Sequence, residues 1–173
     1  MKKLLFILSL LFVLDSCKKE ATELPAVSNT GANTFGASVN DKVWIPKGFG
    51  IVSTAPILQA RYQLNGSILI NARNFASSPK ESEFEIFLKE PITTGVYLLN
   101  DDSGNYAYYV ERKLTPTGEW RTGGPYNGRI TISVADTTNE ILAGSFEFSA
   151  GSLSIYGDAP INVTNGRFDL KVQ

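Results

Sequence analysis

Glu83 and Glu85 stand two residues apart in the stretch EFEIFLK. In an extended strand they share a face, with Cβ atoms about 6.5–7 Å apart. Retaining glycosidases use two carboxyls about 5–5.5 Å apart and inverting ones about 6.5–9.5 Å apart, on either side of a substrate in a cleft. Lys89 follows on the same face, and a solvated sheet surface explains that pattern more simply. Asp101, Asp102 and Asn105 in DDSGN offer the hard oxygen ligands that calcium takes. The EF-hand spacing is not met, because Tyr106 stands where glycine should be. The same residue types build a hairpin turn. Trp120, Arg121 and Tyr126 fall in PTGEWRTGGPYNG. Flat rings with polar edges suit stacking on sugars and on protein partners alike. These three residues are the candidate ligand-binding site. No residue is assigned a catalytic role, and no cofactor or metal is assigned.

Absences narrow the chemistry further. The chain has no histidine, which removes Ser-His and Cys-His catalysis, His-ligated zinc and a histidine pH switch. It has one cysteine, Cys17. Sixteen Lys and Arg against seventeen Asp and Glu leave no basic stripe, so nucleic acid is not an expected partner.

Cys17 follows a leader. Lys2 and Lys3 precede an apolar run, LLFILSLLFVL from Leu4 to Leu14, too short for the roughly 20 residues that cross a bilayer. This is the pattern of a cleaved secretory signal. It ends in Leu14-Asp15-Ser16-Cys17, which resembles a bacterial lipobox, with Asp15 departing from the usual small or apolar residue. The resemblance implies that residues 1–16 are removed and Cys17 is lipidated. Several acyl chains on one residue anchor stably, at ~0.8 kcal/mol per buried CH₂. Residues 17–30, beginning CKKE, read as a polar, disordered tether. The charged cluster after the cysteine resembles the surface-export signals of Bacteroidota lipoproteins. The expected partner at this end is therefore the membrane, and the expected place is the outer membrane of the cell envelope, with the domain facing either the cell surface or the periplasm.

Positioning of the side chains falls to strands. Helical periodicity is nearly missing, and alternation broken by Gly, Asn and Asp is common. ILQARYQL-NG-SILINARNF reads as a hairpin about a type I′ turn at Asn65-Gly66. In EFEIFLK, Phe84, Ile86 and Leu88 face one way, and Glu83, Glu85, Phe87 and Lys89 the other. GVYLL and NYAYYVER flank the Asp101–Gly104 turn. Ile130, Ile132 and Val134 share a face, as do Phe146, Phe148 and Ala150. Asn40-Asp41 and Asn165-Gly166 read as further tight turns, with Phe168, Leu170 and Val172 pointing inward and Arg167 and Asp169 outward. Trp44 reads as a core anchor, and residues 116–128 as the longest irregular loop. About ten short antiparallel strands predict an all-β fold. Residues 31–173 would form one antiparallel β-sandwich or flattened barrel. The alternative is a closed lipocalin-like barrel with an internal apolar cavity.

Two stretches also carry a family resemblance. GANTFGASVNDKVW (31–44) resembles the GxNTFGxxVNGxxW opening of a family of Bacteroidota lipoproteins of unknown function. GSFEFSA (144–150) and INVTNGRFD (161–169) resemble its GxFEFxA and VTxGRFD stretches, with Asp41 where that family more often has glycine. The resemblance implies an all-β secreted domain and transfers no catalytic residue. Together these readings predict a lipid-anchored, non-enzymatic binding domain for a glycan or a protein. The alternatives are a carboxylate-based polysaccharide hydrolase and a purely structural envelope protein.

Overall fold

The computed structural model describes residues 22–48, 56–75, 81–89, 92–112, 116–154 and 158–173, with the backbone alone at 116 and 117. Cys17 and the apolar leader lie outside the described residues. Eleven strands form one antiparallel sheet curled into a half-barrel. They are β1 (Thr34–Val39), β2 (Lys42–Trp44), β3 (Leu58–Tyr62), β4 (Ile68–Asn74), β5 (Glu81–Leu88), β6 (Gly95–Leu99), β7 (Tyr106–Arg112), β8 (Pro116–Arg121), β9 (Gly128–Asp136), β10 (Ile141–Ser152) and β11 (Ile161–Lys171).

The path runs β2-β1-β11-β10-β8-β7-β5-β4-β3, with β9 on β10 and β6 on β9. Two facing walls result. The first holds β2, β1, β11, β10, β9 and β6; the second holds β8, β7, β5, β4 and β3. The twelve-residue β10 serves both, because Ile141–Phe148 pair with β9 while Gly151 and Ser152 pair with β8. Between the walls, Phe35 lies 5.2 Å from Phe146 and 5.6 Å from Phe84, and Trp44 lies 4.7 Å from Phe84. Trp44 is the expected core anchor, and its Nε1 donates to Ser82 Oγ at 2.8 Å. Aromatic rings thus fill the interior where a lipocalin-like barrel would hold a cavity. The far edge, β3, meets the end of β11 through a single bridge, Ala60–Val172, rather than a continuous ladder. The sandwich or flattened barrel is therefore the architecture, and the closed barrel is not.

Several local expectations hold and several do not. Asn40 and Asp41 both adopt positive φ, 45° and 66°, between paired Val39 and Lys42, as a two-residue type I′ turn requires. At Asn65-Gly66 only Gly66 has positive φ. Gln63 N bonds Ser67 O and Gly66 N bonds Gln63 O, both at 2.8 Å. The loop therefore has three residues, a type I turn closed by glycine. Asn65-Gly66 still reverses the chain, whereas Asn165-Gly166 does not. Asn165 has φ 54° inside the continuous β11. It makes a one-residue bulge that shifts register against both β1 and β10, and a bulge bends a strand without ending it.

Another register shift, between β9 and β10, turns Val134 off the face of Ile130 and Ile132; Ala135 packs against the core instead. Most of the expected loop 116–128 is strand: β8 covers Pro116–Arg121, and the reversal is confined to Gly123–Tyr126. Asp169 does lie on the outer face of β11, but it is 1% exposed. The stretch Ser28–Ala32, which joins the end of the expected disordered tether to the start of the expected domain, wraps it. Ser28 Oγ and the backbone N of Thr30 and Ala32 donate to Oδ2 at 2.7, 2.9 and 3.2 Å, and Gly31 N to Oδ1 at 2.6 Å. A buried carboxylate needs such donors, and they order the segment. Arg167 turns instead to Pro25 O at 3.3 Å.

Candidate functional site

The polar chemistry singled out in the sequence collects on the outer face of the second wall. Cross-strand register sets this out. Asn71 pairs with Glu85, Glu85 with Tyr108 and Tyr108 with Arg121; Phe87 pairs with Tyr106. All of these side chains leave the sheet on the side away from Phe84, Ile86 and Leu88, which are fully buried.

Glu83 and Glu85 are clamped by their neighbours. Glu83 Oε1 accepts from Arg73 Nε at 2.9 Å and Oε2 from Arg112 Nη1 at 3.4 Å. Glu85 Oε1 accepts from the Tyr106 hydroxyl at 2.7 Å and Oε2 from Asn71 Nδ2 at 3.3 Å. Each of the four oxygens therefore has a donor on the same sheet. Charge-assisted pairs of this kind fix side-chain geometry across strands.

Beside the carboxylates runs an aromatic and cationic row. The Phe87 and Tyr106 rings stack with centroids 5.4 Å apart and planes 21° apart. From the strand on the other side, Arg121 Cζ lies 4.0 Å from the Tyr106 centroid. Both faces of Tyr106 are thus engaged. Arg121 in turn donates to Asp101 Oδ1, from Nη2 at 2.8 Å and from Nε at 3.1 Å. Tyr108 donates to Glu119 Oε1 at 2.5 Å. Burial first, then the hydrogen bond to Glu85 and its charge, push the Tyr106 phenol up to about 12, against the opposing charge of Arg121. Burial and Glu119 likewise push Tyr108 up to about 12.

The three expected ligand residues do not form one surface. Trp120 and Arg121 are adjacent in β8 and so face opposite sides. Trp120 enters the core, where it lies 5.9 Å from Tyr109 and donates to Ala159 O at 2.9 Å. Gly118 leaves its room, since a Cβ there would stand 2.1 Å from Trp120 Cη2. Tyr126 packs over Gly151. Arg121 alone joins the outer face. Once 116–121 is read as strand, the parity separating these residues follows. Sequence reasoning also passed over Phe87, although a phenylalanine on the side of Glu83 and Glu85 was the signal for this row.

Two of the three calcium candidates, Asp101 and Asn105, serve the fold, while Asp102 is exposed in the turn. Asp101 takes Arg121. Asn105 is buried at the corner between β6 and β7, accepting from Lys89 N at 2.8 Å and donating to Leu98 O at 3.2 Å. The strands on either side of Asp101–Gly104 part to different walls, and Asn105 ties them at that corner. Among the described residues no group of three or more Cys, Asp or Glu is placed to hold a metal.

A family model described as "Domain of unknown function (DUF6252)" matches residues 32–170. No curated protein and no solved structure matches the chain.

Proposed function

We propose that this chain, which belongs to the family of domains of unknown function DUF6252, is a lipid-anchored, non-enzymatic lipoprotein of a Bacteroidota cell envelope. Its outer second wall docks another envelope protein. One observation carries the choice of a protein ligand: both faces of the Tyr106 ring are already covered, by Phe87 and by Arg121. A sugar platform needs an open ring face. A rigid, half-buried row of Phe, Tyr and Arg edges on a sheet face suits a protein interface, where such residues dominate binding energy. The row is pre-organised by Asp101 and Glu85, so little side-chain entropy is lost on docking.

The non-enzymatic reading draws support from Glu83 and Glu85, whose oxygens serve neighbouring side chains. Anchoring rests on the leader and on Cys17. The membrane would then hold the domain at the envelope surface, where its partner is met.

The test uses full-length tagged protein extracted from membranes in detergent. Wild-type protein is expected to enrich one envelope protein that Arg121→Glu fails to enrich by at least tenfold. Cys17→Ser is expected to lose incorporated palmitate. An unchanged partner profile in Arg121→Glu contradicts the docking face, and undiminished palmitate labelling contradicts the anchor.

A further inference from the structure

The outer face of the first wall is divided in two. Leu24–Ala32 covers the half over Gly36 and Asp169; a Cβ on Gly36 would stand 2.6 Å from Pro25 Cδ. The other half is open and hollow. Two depressions, of about 640 and 440 Å³, meet at Arg129 and Glu147 and share both residues. The larger reaches toward Leu98, Asn127, Asn162 and Thr164. The smaller reaches toward Val96, Thr131 and Asn165. We propose that this trough is a binding site for an uncharged oligosaccharide chain, with a sugar ring on either side of the Arg129–Glu147 pair. It goes beyond the docking face on the other wall and does not depend on it.

Shape is the first argument. A trough with two lobes suits an extended chain. Backbone forms part of its lining, at Gly128 in the larger depression and at the bulge residue Asn165 in the smaller. A Cβ on Gly128 would stand 2.3 Å from Glu147 O. Sites carried on strands in this way are held rigidly.

Chemistry is the second. Arg129 and Glu147 are paired and keep 63% and 50% of their side chains exposed, so donors and acceptors lie side by side for vicinal hydroxyls. Asn127 and Asn162 give only backbone atoms to the described hydrogen bonds, leaving both side-chain amides to a ligand. An amide offers two donors and an acceptor, which matches a hydroxyl's dual character. Charge is the third argument. The ion pair cancels itself, and Asp41 is the one further charge on the lining. Such a field draws neither a polyanion nor a polycation. One wall is apolar, with Val96 and Leu98 exposed at 64% and 60%, and it would meet the C–H face of a sugar ring.

The experiment is affinity electrophoresis of the full-length protein in detergent. Gels contain dextran, mannan or xyloglucan as neutral polymers, or hyaluronan as a polyanion, and mobilities are referred to a sugar-free gel. Retardation by at least one neutral polymer is expected, with none by hyaluronan. Arg129→Ala/Asn162→Ala should raise the apparent dissociation constant at least tenfold. Leu98→Glu, on a different strand and at an exposed position, should do the same, which guards against a variant that fails to fold. Arg121→Glu, on the other wall, should stay retarded. The proposal is overturned by no retardation in the three neutral gels, by retardation in hyaluronan as strong as in any of them, or by full retardation of the folded groove variants.

Discussion

The Asp169 carboxylate accepts the Gly31 amide at 2.6 Å, and this bond closes the two ends of the domain on each other. Gly31 opens one of the stretches that carry the family resemblance and Asp169 ends another. β1 and β11 then pair directly, Thr34 with Asp169 and Phe35 with Phe168. In the third stretch, Gly144 makes room for Phe168. These residues build a seam at the chain ends, on the wall away from the Tyr106 row.

Asp169→Ala should be among the most damaging single changes. It would leave the donors of Ser28, Thr30, Gly31 and Ala32 without the buried carboxylate that accepts from them. Losing the carboxylate partner of several N–H groups should lower the unfolding free energy by about 3 kcal/mol. Urea unfolding checks this; a loss below about 0.5 kcal/mol contradicts the seam.

Acid should open the same seam. Burial opposes ionisation of Asp169, yet the hydrogen bonds from Ser28, Thr30, Ala32 and Gly31 outweigh it and hold the carboxyl below its ordinary 3.8. A depressed folded value means stability that is whole above the unfolded value and lost as pH falls through the folded one. Wild-type stability should therefore fall below about pH 4, and Asp169→Asn should flatten that fall. Parallel acid profiles for the two proteins would contradict it.

The alkaline side tests the tyrosine row. Tyr106 and Tyr108 are pushed up to about 12. A raised folded value means that the contribution is whole below the unfolded value of 10 and is lost as pH rises through 12. Phenolate absorbance should show a late-titrating class in the folded protein that Tyr106→Phe and Tyr108→Phe each reduce. In denaturant the whole class should move to about 10. Titration of Tyr106 and Tyr108 near 10 in the folded protein would contradict the packing of this row.

Two glycines should separate steric from conformational cost. A Cβ on Gly144 would stand 2.1 Å from Thr131 O and 2.8 Å from Phe168 Cζ. Gly144→Ala should cost about 3 kcal/mol as overpacking. Gly124 meets nothing within 4 Å but has φ 58°. Gly124→Ala should cost only about 1 kcal/mol, the left-handed penalty. Equal losses on thermal unfolding would contradict the comparison.

Alternation in EFEIFLK and around Phe146 and Phe148 was legible because each strand has one face in a single core. The turn at Asn40-Asp41 was legible because its register is local. Asn165 was not, since a positive φ serves a turn or a bulge, and only pairing on both sides of β11 decides which. Trp120 was hidden by its neighbours: Gly118, Gly123 and Gly124 read as loop, yet Gly118 is where the indole needs space. The Tyr106 row spans β5, β7 and β8, and no spacing along the chain shows that Phe87 and Arg121 reach the same ring. Asp169 does point outward as alternation says, but its burial was not legible, because alternation says nothing about a segment that folds back from more than a hundred residues away.

Site-specific photo-cross-linking in living cells tests the docking face most directly. Benzoylphenylalanine would replace Leu69, which pairs with Phe87 on that face, in the full-length protein. The account predicts one discrete protein adduct that disappears with Arg121→Glu and is not formed from a probe at Val96, which is exposed on the outer face of the first wall. No adduct at Leu69, or an adduct indifferent to Arg121→Glu, would contradict it.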